Sequence, residues 1–373
     1  MTEVVEQFEA RLPLMLDDLE TLVTCESPSA DAAAVARSAD LVAQLGAERL
    51  GSKPEYLVVD GCTHLRWRLG DGPRRVLVLA HHDTVWPIGS LVTHPFQNEG
   101  GVLRGPGCFD MKAGLVMALH AISTLPSASV TLLVTGDEEL GSPSSRQLIE
   151  AEATGCSATL VLEASADAGA LKLERKGVSV YEVRITGRAA HAGLEPELGV
   201  NASVEAAHQV LAVSNLGDAG RGTTVTPSVL TAGTTRNTVP AAAAFFVDAR
   251  AWTVEEQLRV NEAMHALRPV LPGSSLEILG GPNRPPLERK MSDELYARAS
   301  RLALDLGLPP LRSVAVGGGS DGNFTAGIGT PTLDGLGAVG GGAHADDEHV
   351  LVAELPPRTA LLAALITDLQ GTP

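Results

Sequence analysis

The chain has little positive charge for its length. In 373 residues, 28 lysines and arginines face 45 aspartates and glutamates, a net charge of −17. Nucleic acids and anionic membranes both call for a basic face, so neither is expected as a partner. No apolar run reaches the ~18 residues of a membrane span. The opening Met1-Thr2-Glu3-Val4-Val5-Glu6 is acidic and has no apolar core of a secretory signal. The four cysteines, Cys25, Cys62, Cys108 and Cys156, form no C-x-x-C pair. That argues against a zinc ribbon or disulfide frame and fits reduced thiols in a cytoplasmic protein. No internal repeat is present. No glycine fingerprint follows a strand, which removes P-loop and dinucleotide enzymes. The chain is too long for one typical core, so two domains are expected.

Three apolar runs are followed directly by acids or histidine. Val76-Leu77-Val78-Leu79-Ala80 ends in His81-His82-Asp83. Val130-Thr131-Leu132-Leu133-Val134-Thr135 ends in Gly136-Asp137-Glu138-Glu139. Thr159-Leu160-Val161-Leu162 ends in Glu163. Continuous apolar runs read as buried parallel strands, and open α/β sheets bind their ligands at the carboxyl ends of such strands. The acids and imidazoles should therefore share one rim.

Apolar spacing predicts helices over residues 3–24, 31–50, 110–125 and 145–152. Strands are predicted at 63–69 and 76–80, joined by the turn Gly70-Asp71-Gly72-Pro73. Alternating strands and helices indicate an α/β domain with a mostly parallel sheet. The texture then changes. Residues 178–186 alternate as a half-exposed strand, followed by a helix at 201–213, strands at 224–232 and 242–250, a helix at 254–268 and a strand at 275–279. That β-α-β-β-α-β order is ferredoxin-like. The expected division is a first domain, 1–176 with 283–373, and an inserted α+β domain, 177–282. Helix 291–306 and the strand before Asp334 return to the first sheet.

His81, Asp110, Glu139, Glu163 and His344 are candidate metal ligands, because carboxylates with imidazoles suit zinc or a similar divalent ion. Singly, each has a plainer role. Asp110 reads as a helix N-cap, Glu139 and Glu163 as solvated acids, and the histidines as structural strand-end or loop residues. Together, at the ends of successive elements, they point to one metal site.

Five motifs make the reading specific: His81-His82-Asp83-Thr84-Val85, Gly105-Pro106-Gly107-Cys108-Phe109-Asp110-Met111-Lys112-Ala113-Gly114, Asp137-Glu138-Glu139, Leu162-Glu163 and Ala343-His344-Ala345-Asp346. They stand in the order seen in the M20 metallopeptidases. Over nearly its whole length the chain resembles the branch containing bacterial glutamate carboxypeptidases that hydrolyse folates. The resemblance implies a zinc-hydrolase catalytic domain with an inserted dimerisation (lid) domain, hence a homodimer. It implies two Zn2+ per subunit, with Co2+ or Mn2+ as alternatives. His81 and Glu163 would hold one ion, Glu139 and His344 the other, and Asp110 would bridge them. His82 is then the variable middle residue, and Asp83 fixes His81 by accepting its other ring N–H. Glu138 is implied as the general base that activates the attacking water. His191, in Arg188-Ala189-Ala190-His191-Ala192-Gly193, is implied to stabilise the oxyanion in a partner subunit's site.

Further resemblances concern the substrate. Asn237, in Arg236-Asn237-Thr238-Val239-Pro240, matches a substrate-contacting position. Arg250, in Asp248-Ala249-Arg250, matches the arginine that holds a free carboxylate. Gly319 and Ser320, in Gly317-Gly318-Gly319-Ser320-Asp321, match a loop near the substrate. The implied reaction is hydrolysis of an amide next to a free α-carboxylate, in an N-acyl amino acid, a small peptide or a folate-like compound. Dipeptidase, aminoacylase and desuccinylase activities remain open. The chain departs from the glutamate-specific pattern at one point. The cations expected to hold a glutamate side chain are missing, since Lys172 and Arg284 are displaced from the register, and an apolar or aromatic leaving residue is also open.

Overall fold

The computed structural model describes residues 2–371. Met1 of the acidic N-terminal segment and the last two residues lie outside them. The chain forms two compact units, one of residues 2–174, 289–316 and 320–371, the other of residues 175–288 with 317–319.

The first unit is built on a six-stranded sheet in the order Glu55–Val59, Cys62–Leu69, Val130–Thr135, Val76–His81, Ala158–Val161, Thr332–Leu333. The last four run parallel, and the first two are antiparallel. The sheet is therefore mixed: four of its six strands run parallel, in line with the expected mostly parallel sheet, and an antiparallel pair is added at one edge. The cause is local. Asp60 and Gly61, both at positive φ, close a tight hairpin, and the short link from Leu69 to Val76 turns the chain back without a crossover, so the two strands it joins run in opposite directions on either side of Val130–Thr135. All residues of Val76–His81 are buried. Their alternation feeds two cores. Val76, Val78 and Ala80 pack with Leu22, Met117 and Leu362, while Leu77 and Leu79 pack with Leu133, Ile149 and Phe324 on the other face.

The helix expected from Asp110 begins at Ala113 and runs to Ser123. Before it, Cys108–Lys112 is an irregular turn, with Asp110 at φ −117°, ψ 93°. Asp110 is thus no N-cap. Its N–H is used elsewhere, as described below. Gly114 lets this helix press on the sheet, because a Cβ there would lie 2.1 Å from the Leu162 carbonyl oxygen.

The second unit is a four-stranded antiparallel sheet in the order Thr224–Ala232, Ala242–Ala251, Gly177–Thr186, Ser275–Arg284. Helices Ala202–Ser214 and Val254–His265 complete a β-α-β-β-α-β chain order. Gly177–Thr186 alternates buried and exposed residues because one face is covered. Tyr181, Val183, Ile185 and Phe245 meet Ala202, Ala206, Val260 and Met264 there. Ser275–Arg284 extends past the expected 275–279, and the second helix stops before the expected 268. Among the described residues, no helix is long and apolar enough to cross a membrane.

Gly114→Ala should lower stability by about 1–3 kcal/mol, the usual range for overpacking. Urea unfolding measures this. An unchanged midpoint would show that the helix can move away from Leu162 without cost.

Candidate active site

His81 is the last residue of its strand and His82 the first beyond it, so strand alternation sends their rings to opposite faces. His82 is buried between Ser38 Oγ and the Thr63 carbonyl, both at 3.1 Å. Burial pushes its pKa down to about 4. His81 faces the rim. Its Nδ1 donates to the Asp83 carbonyl oxygen at 3.0 Å, which leaves Nε2 facing inward. The expected acceptor, the Asp83 carboxylate, is further off at 3.4 Å. That carboxylate instead accepts from Ser29 Oγ at 2.6 Å and from the backbone N–H groups of Glu138 and Glu139 at 3.3 and 3.2 Å. Asp83 thus ties the His81 strand to the loop carrying Glu138 and Glu139.

Around His81 Nε2 stand Asp110 Oδ1 at 3.4 Å and Glu163 Oε1 at 3.6 Å. Around His344 Nε2 stand Glu139 Oε2 at 3.1 Å and Asp110 Oδ2 at 3.4 Å. The five groups form two triads with ligand-type atoms within 4.8 Å of one another, and Asp110 belongs to both. His81 Nε2 is buried and makes no hydrogen bond. A buried polar atom without a partner is costly. Two imidazoles and three carboxylates around it are a donor set that zinc accepts. The residues fit a pair of divalent cations sharing Asp110.

Charge follows the same geometry. Burial opposes ionisation of Asp110, but His344 and His81, with Lys172 beyond them, hold its carboxyl far below the usual range. Burial pushes Glu139 up. Burial would lower His81, but Asp110, Asp83 and Glu163 raise it well above its ordinary value. The hydrogen bonds to Asp110 and Glu139 raise His344 to about 10.

Among the described residues a third group, Cys62, His64 and Asp137, has metal-like spacing. Two of its three members, Asp137 and His64, are already engaged in hydrogen bonds. Asp137 accepts from Ser144 and Ser145, backbone and side chain alike. His64 Nδ1 accepts from the Gly136 N–H, and its Nε2 meets Ser144 Oγ. This network pins the loop before Glu138.

Residues 77–368 match the profile of Peptidase family M20/M25/M40. The chain is 32% identical to Carboxypeptidase G2 of Pseudomonas sp. (strain RS-16), over 96% of this chain and 89% of that protein. The chain belongs to the M20 peptidase family. It is a hydrolase of that family. It is also 28% identical to Succinyl-diaminopimelate desuccinylase 2 of Shewanella loihica, over 78% of this chain and 84% of that one. In fold it is similar to the Bacillus subtilis YXEP protein, described as a dinuclear metal binding peptidase from the M20 family. The TM-score is 0.68 at 16% identity, covering 98% and 99% of the two chains.

The other expected site residues of this M20 protein lie in different surroundings. His191 and Asn237 are brought together, since Ala192 N donates to the Asn237 carbonyl at 3.0 Å. His191 is exposed, and its Nδ1 accepts from the N–H groups of Gly193 and Leu194, both at 3.1 Å. The neutral ring therefore carries its proton on Nε2. Arg250 forms a bidentate pair with Asp248 at 2.8 and 2.9 Å. The Gly319 carbonyl accepts from Arg175 at 3.2 Å. Ser320 is buried, with its hydroxyl on Asp334 at 2.5 Å and its N–H on Asn323 Oδ1 at 2.9 Å. Residues the sequence did not single out are Ser29, His64, Glu348 and Arg358. Arg358 is buried and donates to the carbonyls of Gly335, Gly337 and Gly169, which sets the glycine-rich loop leading to His344. No spacing rule marks these four; each is found only through its contacts.

Metal-ligating imidazoles must be neutral. Zinc binding at neutral pH should therefore release protons from His81 and His344, and zinc affinity should fall as pH is lowered. Calorimetry in buffers of different ionisation enthalpy reads the proton count. No release would contradict this charge arrangement.

Proposed function

We propose that this chain is a two-zinc amidohydrolase that frees an amino acid bearing an α-carboxylate from an acyl group or short peptide. The observation that carries the proposal is Asp110, whose two oxygens face two separate His–carboxylate pairs. The likeness to Carboxypeptidase G2 along nearly the whole chain supports it. Zinc ions, when bound, would polarise the scissile carbonyl and lower the pKa of water. His81, Glu163, Asp110, Glu139 and His344 would hold them.

The chain's own groups then do the rest. Asp83 fixes the backbone of Glu138 and Glu139, which holds the proposed base next to a candidate ligand. Glu138 takes the proton of the attacking water and passes it to the leaving amine. Arg250 offers a guanidinium fork for the α-carboxylate; its pairing with Asp248 has to open or be shared. His191 Nε2–H donates to the oxyanion.

The second unit's sheet bears on subunit number. Arg250 pairs with Val178 at one end of the strand Gly177–Thr186, and the His191 loop follows the other end. At about 3.4 Å per residue, the strand from Val178 to Thr186 spans roughly 27 Å. A small substrate cannot reach both from one chain, which supports a homodimer with shared sites. Four free cysteines fit a cytoplasmic setting. A second reading, a desuccinylase using the same centre, is favoured by the relative of that name.

Glu138→Gln should lower kcat about 10²–10⁴-fold with zinc content unchanged, read on a panel of N-acyl amino acids that also identifies the leaving residue. Full activity would remove Glu138 from this role. Mixing inactive His191→Ala and Glu138→Gln subunits should restore turnover, because one hybrid site then holds both groups. No recovery at any ratio would reject shared sites.

A further inference from the structure

We propose that Glu348 is a positioning residue of the metal centre, bracing the backbone that presents the shared carboxylate of Asp110. The inference rests on the two-metal reading above and adds a residue that neither binds metal nor touches substrate.

Glu348 is 3% exposed. Each of its oxygens accepts two hydrogen bonds. Oε2 takes Trp86 Nε1 at 2.7 Å and the Gly107 N–H at 2.9 Å. Oε1 takes the N–H groups of Phe109 and Asp110 at 2.9 and 3.0 Å. A carboxylate has about four lone-pair sites, and all are used. An amide of the same shape offers one acceptor oxygen and would turn an NH₂ toward two donors.

The brace joins three segments. Trp86 lies just past His81-His82-Asp83. Residues 107–110 carry Asp110 in a non-helical turn. Glu348 itself follows His344 by four residues. Gly107 sits at φ 69°, and a Cβ there would lie 2.3 Å from Thr84 Cγ2, so the turn is pressed against the His81 segment as well. The turn is closed by two wide backbone bonds, from Lys112 N–H to the Gly107 carbonyl and from Ala113 N–H to the Cys108 carbonyl, neither of which uses the Asp110 N–H, and that group goes to Glu348. One buried side chain thereby fixes the backbone on which the shared ligand depends and links it to the loops of His81 and His344. Loss of a partner that orients a ligand commonly costs about 10–100-fold in metal affinity.

The test compares wild type with Glu348→Gln and Glu348→Asp. Zinc number and affinity are read by competition with a chromophoric chelator. The visible absorption of Co2+-loaded protein reports ligand geometry, and the thermal midpoint in chelator reports the fold. Glu348→Gln should weaken zinc binding about 10–100-fold and alter the Co2+ spectrum. Glu348→Asp keeps the charge but shortens the reach, and should fall between. A merely structural role would lower the midpoint and leave zinc affinity and spectrum unchanged, and that result overturns the inference. If the Gln variant does not fold, wild-type zinc affinity in the Asp variant overturns it equally. Wild type that binds no zinc would overturn the two-metal reading itself, and this inference with it.

Discussion

The structure depends on bringing Asp110, Glu139 and Glu163 together at a half-buried rim. Three carboxylates so close repel one another, and low-dielectric surroundings sharpen the repulsion. The chain offsets this with imidazoles. His81 lies between Asp110 and Glu163, and His344 between Asp110 and Glu139. Both imidazoles are pulled toward their protonated forms. The linkage sign for His344 is clear. Its pKa rises from 6.5 to about 10, so its share of stability is present below about pH 6.5 and lost as pH rises through about 10. Half-exposed, it contributes less than a buried pair would. Divalent cations meet the same demand more fully, because they bring more positive charge to the same point.

That demand explains the arrangement outside the ligands. Among the candidate ligands His81 ends a regular strand, whereas Asp110 and His344 lie on irregular backbone, and buried charges or networks hold the loops of the site. Asp83 holds the 138–139 backbone, His64 and Asp137 hold the turn before it, Glu348 holds 107–110, and Arg358 holds the glycine-rich loop before His344. Buried charges are tolerated because their hydrogen-bonding capacity is filled, mostly by backbone groups.

What the sequence revealed follows from this division. Val76–His81 was legible because a strand buried on both faces is a continuous apolar run, and His81 was legible because that run stops at it. The alternation of Gly177–Thr186 was legible for the opposite reason, one face being open. The antiparallel edge was missed because Glu55–Val59 is mostly exposed and shows no buried–exposed alternation, although Asp60-Gly61 is a hairpin signal. The start of the helix after Asp110 was missed because hydrophobic spacing continues through the turn; the Asp110 N–H, which a helix starting there would also leave unpaired, goes to a distant carboxylate, Glu348. In Asp346-Asp347-Glu348 nothing separates a solvated acid from a buried one. The five candidate ligands were readable because resemblance fixes their order, while the groups that hold them act through long-range backbone contacts that leave no local pattern.

The most direct test of the shared-ligand centre is anomalous diffraction at the zinc edge from crystals of the zinc-loaded protein. The account predicts two peaks flanking the Asp110 carboxylate, one beside His81 and Glu163, the other beside Glu139 and His344. A single peak that Asp110 does not share, or a peak at Cys62, His64 and Asp137 in place of these, would contradict it.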